Sequence, residues 1–288
     1  MDPSQPVPSG YERLRALLVE LVTYVVSGAC LGFLIGLTGV GGGVLTVPVL
    51  ILLVRLDPIA AVGTASLFSV LTKLFATARH FRQQTINLEV ALRFLAPSLP
   101  GVICTSVLIR WAITSLDAAA VDALQNTISY VIVFSMGVSL VALLSNMSRL
   151  RLGITQSGYA GILRILCVFV MGTILGATSI GGGILMMPAL IYFYGEKSKY
   201  VGTSIFVALV LTGVMSLIYT IQGDDGSSGV VDWRVAGFMA LGSIGGSHYG
   251  DVLSKRFDPR LLRLVVGAVV LLALGLMFIN MAGTQSAS

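Results

Sequence analysis

Apolar residues run along this chain in eight long blocks separated by short polar stretches: Leu17–Thr38, Ile59–Ala78, Ala91–Ile109, Ile128–Leu144, Ile162–Ala177, Val201–Ile221, Val235–Tyr249 and Leu261–Met281. Unlike the one-sided stripe of a soluble helix, most of these blocks approach or exceed the ~17–20 apolar residues that cross a bilayer. A hydrocarbon core offers no water to a backbone N–H or C=O, so each block has to satisfy itself as a helix. The pattern predicts an all-α, polytopic membrane protein. Ahead of the first block, residues 1–16 read as a polar tail with prolines at Pro3, Pro6 and Pro8. Arg13 and Arg15 before an apolar run, with Ser27-Gly28-Ala29 inside it, imitate a cleavable leader. The run continues past that point and its later part recurs downstream, so it is kept as a mature helix.

Composition sharpens this picture. Only 11% of the 288 residues are charged and 56% are hydrophobic, against roughly 25% charged in soluble domains. The net charge of +5 does not indicate nucleic acid, because the basic residues sit in short loops between apolar blocks, where membrane topology accounts for them. Cys30, Cys104 and Cys167 fall inside blocks and are expected as small buried side chains rather than disulfides. No His/Cys cluster has metal-ligand spacing, and no cofactor is implied.

The chain repeats itself. Gly32-Phe-Leu-Ile-Gly36-Leu-Thr-Gly-Val-Gly41-Gly42-Gly43-Val-Leu-Thr-Val-Pro48 matches Gly172-Thr-Ile-Leu-Gly176-Ala-Thr-Ser-Ile-Gly181-Gly182-Gly183-Ile-Leu-Met-Met-Pro188, an offset of 172 − 32 = 140. Val62-Gly63-Thr64 recurs as Val201-Gly202-Thr203 at offset 139, and Asn87-Leu-Glu-Val90 as Asp232-Trp-Arg-Val235 at offset 145, which carries Gly101 onto Gly246. Several signatures in one order indicate duplication. The expected organisation is a tail (1–16), a first membrane repeat (17–148), a cytoplasmic linker (149–160), a second repeat (161–282) and a short tail (283–288). Each repeat reads as five helical pieces, with a short piece (Val44–Val54; Ile184–Tyr194) after the glycine triplet. Eleven residues rise ~16 Å, half of a ~30 Å core.

Charge sets the orientation. If each triplet hairpin returns the chain to its starting side, three crossings remain per repeat, and the second repeat is inverted. Twelve of the 18 basic residues then collect inside, at Arg79/Arg82/Arg93, Arg149/Arg151/Arg164, Lys197/Lys199 and Lys255/Arg256/Arg260/Arg263. Asp224 and Asp225 fall outside, with both termini. The expected location is the cytoplasmic (inner) membrane.

Inverted repeats with interrupted helices point to a secondary transporter. A helix restarting within the membrane presents unpaired N–H groups and a partial positive charge, and glycine lets the backbone approach a ligand. Gly41, Gly42, Gly43 and Val44, with Gly181, Gly182, Gly183 and Ile184, are therefore candidate anion contacts; the alternative is helix packing alone, as at Gly32/Gly36 and Gly172/Gly176. Thr64 and Ser66, matched by Thr203 and Ser204, either donate to an oxyanion or bond their own helices. Lys73 lies within Ile59–Ala78, where insertion of a basic residue costs ~2.5–3.5 kcal/mol; its roles are an anion contact or snorkelling to an interface. Thr212 occupies the matched position. His248 and Asp251 form either a proton relay or a solvated pair, while His80 reads as interfacial. No Lys-Ser/Thr follows either triplet, so nucleotide binding is not supported, and no nucleophile–base pair marks an enzyme.

The paired glycine-rich segments ending at Pro48 and Pro188, the Gly63-Thr64-Ala65-Ser66 and Gly202-Thr203-Ser204 starts, and the Asn87 and Asp232 loops resemble the TauE/SafE family of sulfite and organosulfonate exporters. The resemblance covers nearly the whole chain beyond the tail. It implies export of small sulfur-containing anions across the cytoplasmic membrane. Gly39 and Ala65 become Ser179 and Ser204 in the second half, so the two anion contacts need not be equivalent. A passive anion channel is the alternative. The partners expected are the bilayer and a small anion, with no nucleic acid and the number of copies left open.

Overall fold

The computed structural model describes residues 10–38, 43–144, 160–180, 186, 189–190, 193, 200–221, 230–254 and 256–285. Those residues are helical apart from short connections and contain no strand. The helices are α1 (Gly10–Thr38), α2 (Gly43–Leu52), α3 (Pro58–Arg82), α4 (Leu88–Ser115), α5 (Ala118–Leu144), α6 (Ala160–Thr178), α7 (Tyr200–Thr220), α8 (Trp233–Ser254) and α9 (Pro259–Gln285). Met186, Ala189, Leu190 and Phe193, in the second expected short piece, are helical too. The linker 149–160 before Ala160 and the Asp224/Asp225 loop lie outside the described residues. The first helix starts at Gly10, before the apolar block, and the last runs to Gln285, so both expected tails are partly helix.

Among the described residues, seven helices are long and apolar enough to cross a membrane: α3, α4, α5 and α7, with parts of α1, α6 and α9. Their outward faces carry Leu18, Val22, Phe134, Val141, Leu272 and Ile279, all more than half exposed, which fits contact with lipid rather than water. The three cysteines share this environment. Cys30, Cys104 and Cys167 are free and exposed, correcting the expectation of burial: each apolar block has a lipid-facing side, and a small thiol is tolerated there. Helix α8 is not one of the seven because serines, glycines, His248 and Asp251 dilute it, and these polar residues face the interior cavity described below.

Glycine determines which helices touch. α1 and α8 lie together in parallel: a Cβ on Gly28, Gly32 or Gly36 would fall 2.0–2.3 Å from the carbonyl oxygens of Met239, Ser243 and Ser247. A Cβ on Gly246 would fall 2.0 Å from the Ala29 carbonyl. α6 packs on α4 in the same way, with Gly172 against Ser98 and Gly101 against Phe169. The first helix of each half thus packs on the fourth membrane helix of the other half, because only a hydrogen at Cα permits such close backbone approach.

A second exchange ties the halves. Asn87 caps α4, its side chain accepting from Val90 N–H at 3.2 Å, and Asp232 does the same for α8 from Arg234 and Val235 N–H at 2.9 and 3.1 Å. The backbone N–H of Asp232 donates to Thr64 Oγ1 at 3.0 Å, and that of Asn87 to Thr203 Oγ1 at 2.9 Å. Each matched threonine receives the matched cap of the opposite half. Thr64→Val or Thr203→Val strands a buried donor, which costs about 1–3 kcal/mol. Both variants should melt earlier in detergent while the serine variants hold. Unchanged melting of the valine variants would show that these bonds do not hold the halves together.

Candidate functional site

Helices α3 and α8 bring two polar rows together. Ser69, Thr72, Lys73 and Ala76 share one face of α3 by their three- and four-residue spacing, and Ser243, Ser247 and Asp251 share one face of α8. With Ile35 and Gly36 of α1, Gly43 of α2 and Ser204 of α7 they enclose a cavity of about 620 Å³. Phe68, Phe75, Ile205 and Ile244 supply apolar wall, which lowers the local dielectric and strengthens charge interactions inside.

Lys73 lines this cavity. It is the sixteenth residue of α3, counting from Pro58, and it forms no hydrogen bond or ion pair with any described residue. Arg79, two turns on, pairs with Asp251 across the cavity at 3.3 Å. Among the described lining residues other than His248, Lys73 and Arg79 against Asp251 leave one uncompensated positive charge, at Lys73. His248 also lines the cavity, set edge-on to Tyr249. His80 lies at the end of α3, where its Nδ1 is 2.9 Å from Thr85 Oγ1.

The start of α2 and the residue after the end of α6 meet here. Gly43 opens α2, one residue earlier than expected, and reaches the cavity, so the first N–H groups of α2 are presented there. A Cβ on Gly43 would lie 3.0 Å from the carbonyl oxygen of Ser179, just ahead of the second triplet. Ser179 has φ 55°, the left-handed region, which disfavours a side chain by roughly 1–2 kcal/mol; the matched residue of the first half is Gly39.

Other candidates are placed differently. Val44 is buried. Thr64 and Thr203 are hydrogen-bond acceptors for the opposite half, and Ser66 Oγ donates to Gly63 O at 2.6 Å within its own helix. Ser204 Oγ donates to Val201 O at 2.8 Å while the residue lines the cavity. Gly41, Gly42, Gly181, Gly182, Gly183 and Ile184 lie outside the described residues. Sequence reasoning missed Ser69, Thr72, Ser243 and Ser247, although helical spacing from Lys73 and Asp251 would have found them. It counted Arg79 only as a loop charge, because nothing local reveals a partner 172 positions away.

Membrane-spanning helices around a mainly apolar cavity, with polar rows, a helix start and an ammonium bordering it, fit a membrane transporter. The profile of the sulfite exporter TauE/SafE family matches residues 24–277, and the chain belongs to that family. It is 34% identical over 256 residues to the probable membrane transporter protein YjnA of Bacillus subtilis (strain 168), spanning 88% of this chain and 97% of that one. It is similar also to the probable membrane transporter protein YunE of the same organism, at 26% identity over 88% of this chain and 96% of the relative. A third relative is the probable membrane transporter protein MJ0441 of Methanocaldococcus jannaschii, at 26% identity over 88% of this chain and 93% of the relative. No solved structure matches the chain.

Proposed function

We propose that this transporter exports small sulfur oxyanions, a sulfite or an organosulfonate, across the cytoplasmic membrane as a secondary carrier. The observation that carries this reading is the unpaired Lys73 ammonium in the cavity beside the start of α2. An ammonium and backbone N–H groups attract an anion and repel a cation. The remaining polar lining is mainly serine and threonine, with a committed Arg79–Asp251 pair, so cargo is held without an arginine clamp and can leave. The volume of about 620 Å³ is some twenty times a water's ~30 Å³ share of liquid, which leaves room for the organic part of a sulfonate. Arg79 and Asp251 line the cavity at the end of α3 where Arg82 and Arg93 collect. The excess of basic residues there marks the cytoplasmic side, and the cavity therefore loads from the cytoplasm. The crossed contacts between matched helices fit inverted repeats, and the distribution of basic residues favours both termini outside.

Counterflow of labelled sulfite into liposomes tests the reading. Unlabelled sulfite or sulfoacetate inside should accelerate uptake, zwitterionic taurine should compete weakly, and cationic analogues not at all. Equal flux with and without internal anion would indicate a channel, and preference for a cation would overturn the anion assignment.

A further inference from the structure

The cavity has a counterpart that is packed shut. Thr72, Lys73, Ser247 and Asp251 line the open cavity and are partly exposed. By the repeat offsets 139 and 145 their matched residues are Leu211, Thr212, Val102 and Ser106, and every one is 0% exposed. Gly36 of the cavity corresponds to Gly176, also buried. Identical places in the two halves are thus open in one and closed in the other.

The closed region contains polar groups that its packing does not use. Ser179 Oγ and Arg110 Nη2 are buried without a hydrogen-bond partner among the described residues, and Ser106 Oγ has only the Tyr219 hydroxyl within reach. Ser106 is 0% and Ser179 1% exposed. Such orphans are disfavoured by about 1–3 kcal/mol each, and packing alone gives no reason for them. They are neighbours. Tyr219 Oη donates to the Gly176 carbonyl at 3.2 Å and faces Ser106. Gly176 lies against Val102 and Thr105 of α4, and Ser179 is one turn beyond Gly176. Arg110 stands one turn beyond Ser106 on the same face of α4. Tyr219 is itself fully buried and fills the place that the first half leaves open.

We propose that Ser106, Ser179 and Arg110 form a second subsite for a small oxyanion, reached from the membrane face opposite the cavity and closed here by Tyr219 as its lid. Opening exchanges the Tyr219–Gly176 hydrogen bond for anion contacts with the two hydroxyls and the guanidinium. Thr212 stands where the cavity has Lys73, so cargo passing inward-to-outward leaves an ammonium for hydroxyls and a guanidinium nearer the helix end. This subsite presupposes the anion export proposed above, and a labelling experiment separates the two.

In a background with Cys30, Cys104 and Cys167 replaced by serine, Thr72→Cys and Ser106→Cys are exposed in turn to an impermeant anionic thiosulfonate from each side of oriented liposomes. Thr72→Cys should react from one face and be protected by sulfoacetate, which unlike sulfite does not consume the reagent. Ser106→Cys should react only from the other, about fivefold faster with Tyr219→Phe, the population change that one net hydrogen bond is worth. Ser179→Cys should follow Ser106→Cys and serves if that variant does not fold. Labelling of both serine positions from the cavity's own face, or none from either face even with Tyr219→Phe while sulfite flux persists, overturns the subsite and leaves the anion reading standing. Absence of sulfoacetate protection at Thr72→Cys, with no sulfite or sulfoacetate flux, overturns the anion reading itself.

Discussion

Lys73→Ala should reduce sulfite transport by roughly ten- to a hundredfold in kcat/KM, the equivalent of a charged hydrogen bond at about 1.5–3 kcal/mol, while leaving the fold as stable or more stable. The two halves of that outcome have one cause. A cation within a membrane helix is disfavoured by ~2.5–3.5 kcal/mol, and Lys73 has no partner among the described residues to offset it. Alanine removes that penalty and with it the uncompensated charge facing the cavity. Lys73→Arg restores the charge but replaces a compact ammonium by a planar fork on a face shared with Ser69 and Thr72, so it should rescue poorly. Counterflow and thermal unfolding in detergent, run on the same preparations, decide the matter. Unchanged kinetics would remove Lys73 from the site. Reduced kinetics with an equal fall in melting temperature would make its role structural.

Gly246→Ala should be, with alanine at Gly28 or Gly242, among the most damaging single methyls at the described glycines. Its Cβ would lie 2.0 Å from the carbonyl oxygen of Ala29 and 2.8 Å from Phe33 N. Both are backbone atoms of α1, which cannot rotate away as a side chain would, so the two helices must separate. Overpacking of this kind costs about 1–3 kcal/mol or more, and here it also loosens neighbouring contacts at Gly32 and Gly242. Gly237→Ala, on the same helix, meets nothing within 4 Å. It should be neutral or stabilising by roughly 0.5–1 kcal/mol, since alanine restricts the backbone. The comparison is a melting curve of each variant in detergent. Equal melting temperatures would mean that α1 and α8 are not held by this approach.

Much of the architecture was legible because it depends on local or repeated features. The 140-residue recurrence of the triplet segments located the helix interruption, and α2 begins within one residue of the expected place. Lys73 stood out because a single charge inside an apolar run is unfavourable on its own account. Other readings needed the fold. Thr64 and Thr203 looked like ligand donors by their position after a glycine, yet each is spent on the cap of the opposite half. Cys30, Cys104 and Cys167 looked buried because hydropathy measures how apolar a segment is, not which side of it meets lipid.

The sequence by itself determined the solvent and the segments: too few charges for a water-soluble surface, blocks long enough to span, and glycines where backbones must bend or touch. These follow from additive transfer energies and from covalent chain geometry, which need no partner. Tertiary structure alone decided which repeated residue meets which. Thr72 and Leu211, or Asp251 and Ser106, hold matched positions in the chain, but one member of each pair borders open space and the other is sealed. That difference comes from how α3 packs against α8, as opposed to α7 against α4. Two near-symmetric halves can pack with one side open or the other, and the choice lies in the balance of contacts between them rather than in either half.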